Sequence, residues 1–334
     1  MHKECAAPPP RQSRRRIALQ ILALFWLAAA GVAPLHAADF PEKSVKIVVN
    51  FPPGGPLDVI ARQVANRLTT TLKQSVVVEN VSGAAGSIGA TQVARANPDG
   101  YTILMSIDTP FTITPALYPD TSVKGEELRP VAVMGVSGSV VAVHPSLGLN
   151  SFKELVERGK REMLTFSTAG SGSPGHFAAL MLADATGMKI NPIHYRGNAP
   201  AVLALVSGEV QAGILATGGL LPHIKAGKLK ALAVAGNTRS SGLPDLPTAL
   251  EQGQAGLDLE FMFIAMVPAR TPDAVVSVLH KAIMEATGQA DFQERMRGLD
   301  VAPSNLAVAA AAERLSKSRE RYAFIVKSTG LKGE

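Results

Sequence analysis

Val45-Lys46-Ile47-Val48-Val49-Asn50-Phe51, running into Pro52-Pro53-Gly54-Gly55-Pro56-Leu57-Asp58, decides the fold of this chain. The first seven residues read as a buried strand. Beyond the turn, Val59, Ile60, Val64, Leu68 and Leu72 recur at helical spacing. The glycines between them permit a tight turn, and Pro56 suits the first helical position. Such a turn aims free amide N–H groups and the positive end of a helix at the space above a sheet, which favours an anion. Asp58 has two readings there, a complement to the helix dipole or a contact to a ligand.

The same alternation continues outward. Strands are expected over 75–79, 101–106, 131–134 and 140–143, with a helix over 87–96. The pattern restarts with helices over 151–160, 176–186, 199–207 and 221–226, and strands over 164–167, 192–195, 210–215 and 229–235. A late strand at 261–267 precedes amphipathic helices over 272–287 and 307–328. Alternation of this kind implies βαβ units and mostly parallel sheets. The small residues Ser137-Gly138-Ser139 mark a crossover between two α/β lobes, and 236–260 a return. The expected division is a leader at 1–38, a discontinuous first lobe at 39–137 plus 238–334, and a second lobe at 138–237.

The first 38 residues read as a removable export signal. Lys3, Arg11, Arg14, Arg15 and Arg16 form its basic start, 17–32 is apolar but short for a membrane span, and Ala37-Ala38 offers a cleavage point before Asp39. An uncleaved membrane anchor is the alternative. The 334 residues carry 33 Lys and Arg against 27 Asp and Glu, a formal charge of +6. Five of those bases and one acid belong to the leader, so the remainder is close to neutral at +2. That removes the support for nucleic-acid binding. The sole cysteine, Cys5, and the sole tryptophan, Trp26, also lie in the leader, which excludes a disulfide framework and a multi-cysteine metal site. With 46% hydrophobic residues, the rest can bury a core in each lobe.

A second glycine turn, Ser82-Gly83-Ala84-Ala85-Gly86-Ser87-Ile88-Gly89, misses the nucleophile elbow at its first glycine. A third, Gly170-Ser171-Gly172-Ser173-Pro174-Gly175, matches G-x-G-x-x-G literally. The dinucleotide fingerprint wants an acid after the next strand, and His194-Tyr195-Arg196 stands there instead. The loop therefore reads as an anion cradle rich in hydroxyls, from Ser167, Thr168, Ser171 and Ser173. No two histidines have metal-ligand spacing, so neither a metal nor a cofactor is expected. His176 is a candidate cleft residue at the first turn of the following helix, and Arg196 a candidate bidentate grip on a carboxylate. An exported hydrolase using Ser87 or Ser173 is the enzymatic alternative, and it lacks an assignable base.

In this order the runs resemble the periplasmic substrate-binding proteins of tripartite tricarboxylate transporters, the TctC or Bug-type family. The likeness starts at Phe40-Pro41 and takes in Phe51-Pro52-Pro53-Gly54-Gly55 with Asp58, Val77-Val78-Glu79-Asn80, Gly83-Ala84-Ala85-Gly86 and Pro98-Asp99-Gly100-Tyr101-Thr102. It continues through Pro115-Ala116-Leu117-Tyr118, the glycine–serine loop with His176, Tyr195-Arg196-Gly197 and Ala199-Pro200-Ala201. Pro222-His223-Ile224-Lys225-Ala226-Gly227-Lys228-Leu229 and Leu246-Pro247-Thr248 complete it. The resemblance implies an α/β chain with the type II periplasmic-binding-protein fold, two lobes around a hinged cleft. It implies a monomeric periplasmic binding protein, not an enzyme, that delivers a small carboxylate to the membrane subunits of a carrier. A ligand sensor presenting its bound form to a signalling receptor is the other binding-protein reading.

The ligand contacts expected from the first lobe are Phe51, Pro53, Gly54, Gly55 and Asp58, then Gly86 and Ser87, then Asp108 and Thr109 on a third loop. From the second lobe they are Ser167, Ser171, Ser173, His176, Tyr195, Arg196 and Thr217. Two departures bear on the ligand. The family often has Ser or Thr where Leu57 stands, and commonly reads Val-Asp-Leu-Met-Phe-Asp where this chain has Val210-Gln211-Ala212-Gly213-Ile214-Leu215. The expected ligand is a carboxylate with an apolar body rather than citrate or an amino acid, with Asp108 the one acid left to meet an ammonium.

Overall fold

The computed structural model describes residues 40–120, 123–254, 257–304 and 306–332. The expected leader lies outside the described residues. Strand and helix alternate through β1 (Val45–Val49), α1 (Pro56–Leu72), β2 (Val76–Asn80), α2 (Ser87–Ala94) and β3 (Thr102–Ile107). Two one-turn helices, α3 (Thr109–Thr112) and α4 (Thr114–Leu117), lead to β4 (Leu128–Ser137), and Gly138 alone separates β4 from β5 (Ser139–Val143). Then come α5 (Phe152–Arg161), β6 (Leu164–Thr168), α6 (Pro174–Thr186), β7 (Ile190–His194) and α7 (Asn198–Ser207). They are followed by β8 (Ala212–Ala216), α8 (Thr217–Lys225) and β9 (Lys230–Ala235). The last elements are β10 (Phe261–Pro268), α9 (Asp273–Gly288), α10 (Ala290–Gly298), β11 (Ala302–Pro303) and α11 (Val308–Thr329).

Two sheets result, in the orders β11-β4-β10-β3-β1-β2 and β7-β6-β8-β5-β9. β1 runs parallel to β2 and β3, and β6 parallel to β7 and β8. β10 and β5 are antiparallel to their neighbours. Helices cover both faces, which is why the strands read as apolar runs rather than as alternation. Against one face of the first sheet, Ile60, Val64 and Leu68 of α1 pack with Leu279 and Ile283 of α9. Against the other, Val93 of α2, Phe111 and Leu315 pack on Val48 and Leu104. The second sheet is covered by Phe152, Leu155 and Phe177 on one side and by Val202, Leu205 and Leu220 on the other.

The chain passes between the sheets at two neighbouring places. β4 ends with Ser137 opposite Phe261 of β10, and β5 begins with Ser139 opposite Ala235 of β9. Gly138 thus carries the outward crossing, and 236–260 the return. The sequence reading missed α3, α4 and α10. The first two are a single turn each, too short for a hydrophobic period to register. The last helix serves both sheets: Ala311 and Leu315 pack over the first, while Tyr322 packs edge-on to Phe177 beside the second, ring centroids 5.5 Å apart.

Candidate functional site

The strand-to-helix turns of both lobes face one another at the C-terminal ends of β1, β2, β6, β7 and β8, where open α/β sheets take their ligands. Two adjoining cavities lie between them. The inner one is lined by the β1–α1 turn, the starts of α6 and α7, the end of β8, and Ile107, Ser139, Phe261 and Phe263. The outer one is lined by 82–86, Thr114, Tyr118, 169–171 and 194–197. Phe51, Pro52, Ala169 and Gly197 border both.

Both lobes build their principal turn with one device. In the first, the Gly54 amide donates to Asp58 Oδ2 at 3.1 Å, and in the second the Gly172 amide donates to His176 Nδ1 at 3.0 Å. Asp58 also accepts from Arg62 Nε at 3.0 Å and from Asn80 Nδ2 at 2.9 Å. Burial alone would raise the Asp58 carboxyl, but these hydrogen bonds outweigh it and hold the group below its ordinary value. His176 is fully buried, and desolvation pushes its imidazole down to about 4. His194, whose ring stands edge-on at 4.5 Å, adds to that shift. His176 is therefore neutral at pH 7, and with Nδ1 accepting, its proton sits on Nε2. Both side chains hold their own turns, and neither lines a cavity.

Of the other expected contacts, Phe51, Pro53, Gly55, Gly86, Ser171, Ser173, Tyr195 and Arg196 line a cavity, whereas Gly54, Ser87, Asp108, Thr109, Ser167 and Thr217 do not. Asp108 is tied to β10 instead: the Met262 amide donates to its Oδ1 at 3.0 Å, and its own amide donates to the Met262 carbonyl. Burial pushes its carboxyl up to about 7, with the Met262 amide pulling the other way. Thr217 Oγ1 donates to the Gly138 carbonyl at 3.3 Å, at the outward crossing. Ser167 Oγ lies under Gly213 of β8. Tyr195 lines the outer cavity while its hydroxyl donates to Glu209 at 2.7 Å. Ser173, weighed as a nucleophile, caps α6 by accepting from the His176 amide at 3.3 Å.

Six cavity-lining polar residues escaped the sequence reading of contacts: Thr114, Tyr118, Ser82, His194, Ser139 and Asn198. The run Pro115-Ala116-Leu117-Tyr118 was the available signal for the first two, and it registered only as part of the family likeness. Ser139 was read as a crossover residue alone. Thr114 Oγ1, Ser139 Oγ and Asn198 Nδ2 are buried without a hydrogen-bond partner among the described residues. Asn198 Oδ1 accepts from the Ala216 amide at 3.1 Å, which fixes the orientation of its side chain. Among the described residues no charged side chain lines the inner cavity, and the N-termini of α1, α6 and α7 all end at it. Their first-turn amides lack intrahelical partners and carry the positive end of the helix dipole.

The loops of the two lobes touch. A side chain at Gly172, whose φ is +76°, would bring its Cβ to 3.3 Å from the Ala85 Cβ and 3.4 Å from Thr114 Oγ1. A Cβ at Gly197, whose φ is +110°, would lie 3.1 Å from the Pro52 ring, and the hydroxyls of Tyr118 and Ser171 share a hydrogen bond across the cleft.

Two mixed sheets, two adjacent crossings and a cleft at which three helix N-termini meet define a two-lobe solute-binding protein. The sequence profile of the tripartite tricarboxylate transporter family receptor, TctC, matches residues 60–331, and the chain belongs to this family of periplasmic binding proteins. It is 32% identical to Protein BugT of Bordetella pertussis over 94% of this chain and 98% of the relative. The structure of the periplasmic binding protein BugD is similar at a TM-score of 0.83 with 33% identity, covering 88% of this chain and all of that one (100%). MatC from Rhodopseudomonas palustris, solved with bound malate, reaches 0.81 with 27% identity over 86% of this chain and 100% of its own. An R. palustris protein solved with adipate reaches 0.84 with 27% identity over 88% and 99%. The fold is the type II periplasmic-binding-protein fold, and the family consists of binding proteins, not enzymes. Among the described residues no helix is long and apolar enough to cross a membrane, and no three of His, Cys, Asp and Glu gather to hold a metal.

Proposed function

We infer that this protein is exported to the periplasm, captures a small organic carboxylate between its lobes as a monomer, and delivers it to the membrane subunits of a tripartite tricarboxylate-type carrier. The observation that carries the reading is the meeting of three helix N-termini at a cleft whose walls hold unpartnered, buried polar groups. A carboxylate satisfies such a site through amides and hydroxyls, with Arg196 at the outer rim. The relatives solved with malate and adipate support that ligand class.

In this reading the lobes are 39–137 with 238–334, and 138–237, and they close by bending at Gly138 and the 236–260 return. The leader is removed before Ala38 or Asp39, so intact mass of the exported protein excludes Trp26. A thermal-shift screen over mono-, di- and tricarboxylates tests the capture. A true ligand at 100 times its Kd adds about 2.7 kcal/mol of stability, and silence across the screen overturns the reading. Small-angle scattering of the ligand-bound protein is expected to be more compact than that of the free protein. Uptake of the captured carboxylate that depends on this chain separates delivery from sensing.

A further inference from the structure

Asp300, between α10 and β11, holds a left-handed backbone conformation at φ +53°. A residue other than glycine keeps such a conformation only where its surroundings fix it. Here three hydrogen bonds do so. Asp300 Oδ1 accepts from Ser241 Oγ at 2.9 Å and from the Gly242 amide at 3.0 Å, and the Asp300 carbonyl accepts from Ser137 Oγ at 2.9 Å. Ser137 is the last residue before the Gly138 crossing, and Ser241 and Gly242 lie on the return. One buried residue therefore holds both passages of the chain.

The two ends of this contact are seated on different sheets. On either side of Asp300, Leu299 and Val301 pack into the core of the first sheet. Just past Gly242, Leu243 and Leu246 pack against the second sheet, and Thr248 bridges Val234 of β9. Gly242 itself lies on α8, where a Cβ would come to 2.8 Å from the Leu221 side chain. The start of α8 in turn rests on the Asp300 loop, since a Cβ at Gly218 would collide with the Leu299 carbonyl oxygen.

This contact stands behind the cleft. Asp300, Ser137, Gly138 and Ser241 line a third cavity, which shares no lining residue with the two in the cleft. Ser139, the residue after Gly138, lines the inner cleft cavity, so the crossing separates Asp300 from the cleft. The cleft loops touch through Gly172 beside Ala85 and Tyr118 with Ser171, and in that same arrangement all three Asp300 bonds are made. Contacts present together in one arrangement bias the equilibrium towards it by what they lose in any other.

We propose that Asp300 is a positioning residue for ligand capture: behind the Gly138 crossing, its carboxylate ties the return to the first lobe and holds the cleft loops in contact. The assignment rests on the bending at Gly138 and 236–260 inferred above, and it names the side chain that biases that motion.

Spin labels read the separation of the lobes without any ligand. From Asp39 onward the sequence has no cysteine, so Val77→Cys on β2 and Leu203→Cys on α7, both exposed, give the exported protein one label in each lobe. Asp300→Gly keeps the left-handed backbone and removes both side-chain bonds. Pulsed electron paramagnetic resonance is expected to show its long-distance population raised about fivefold over the parent, the factor that one net hydrogen bond supplies. Asp300→Asn, whose amide oxygen accepts the same two bonds, is expected to restore the parent distribution. Where Asp300→Gly fails to fold, Ser241→Ala deletes one of the two bonds and is expected to move the population in the same direction. An unchanged or shorter separation, or no restoration by Asp300→Asn, overturns this inference. The thermal-shift screen reads capture separately. Carboxylate hits with unchanged distances overturn the role of Asp300 alone, while silence in the screen with the expected lengthening overturns capture and leaves the tie at Asp300 standing.

Discussion

The turns at 54–58 and 172–176 are the same backbone device with different charges. Each runs glycine, any residue, proline, any residue, then a side chain that returns to the glycine amide four positions back. In the first lobe the returning group is a carboxylate, and in the second it is a neutral imidazole. Asp58 places a negative charge on the N-terminus of α1 and is itself balanced by Arg62. His176 satisfies the Gly172 amide without adding charge to the N-terminus of α6. An approaching anion therefore meets a compensated helix end on one side and an uncompensated one on the other. Spacing sets the geometry of such a turn, while the identity of the returning group sets its field.

The largest expected effects come from removing the returning groups. His176→Ala empties a fully buried site and strands the Gly172 amide, so a loss of about 3 kcal/mol is expected. Asp58→Ala strands the Gly54 amide and Asn80 but releases Arg62, which is half exposed, into water. About 2 kcal/mol is expected there. Urea unfolding of both variants measures the difference, and a smaller loss at His176 than at Asp58 breaks the comparison.

The two groups also lose their contributions to stability in different pH windows. The folded pKa of His176, about 4, is below its unfolded value of 6.5, so the unfolded chain takes up the proton first and stability falls as pH drops from 6.5 towards 4. Asp58 is likewise depressed, from 3.8, so its contribution persists above that value and is lost only on further acidification. Asp108 acts in the opposite sense. Its folded pKa of about 7 is above its ordinary 3.8, so the folded state holds the extra proton and stability falls as pH rises between those values. Between pH 4 and 6.5 Asp108 and His176 oppose each other. Asp108→Asn is expected to steepen the acid-side fall in stability, and denaturation series at pH 4, 5, 6 and 7 read the slope. An unchanged slope removes Asp108 from the balance.

How much of this was legible beforehand follows from the same contrast. Periodicity placed the long helices and most strands because covered sheets and amphipathic helices write their burial into the chain, as the β1–α1 run does. The glycine turns were legible as anion-facing devices. The partners of Asp58, Asp108 and His176 were not, because each is set by a residue far along the chain or by a side-chain rotamer. Asp108 is held beside β10 only because Met262 of that strand, 154 positions later, brings its amide to it. Thr114 and Tyr118 reach the cleft through one-turn helices that leave no period in the sequence. Leu57 and Leu215 were each visible as departures, but only the pairing of the lobes places them in one cavity.

The contact between the lobes gives the next effect in size. Gly172→Ala asks an L-residue to hold a left-handed φ and brings its methyl to 3.3 Å from Ala85. The conformational part costs about 1 kcal/mol in the second lobe itself. The steric part acts only when the lobes are together, so ligand affinity is expected to fall severalfold beyond the change in stability, with a less compact scattering profile in the presence of ligand. Equal affinity in variant and parent separates this loop from closure.

The smallest effect belongs to the hydroxyl pair that joins the lobes, Tyr118 with Ser171. Tyr118→Phe keeps the ring against the second-lobe loop and deletes the hydroxyl's bond to Ser171. Such a bond contributes about 1 kcal/mol, a factor of roughly five in an equilibrium constant. Because the two hydroxyls come from different lobes, the loss falls on the closed arrangement alone. A smaller closed fraction lowers apparent affinity by the same factor. Calorimetry of Tyr118→Phe with the tightest carboxylate is therefore expected to return a Kd about fivefold weaker, with the ligand-free unfolding midpoint nearly unchanged. A fall in that midpoint with no change in Kd would make the pair a static tie within the folded protein, and the cleft side of closure would then rest on the glycine contacts alone.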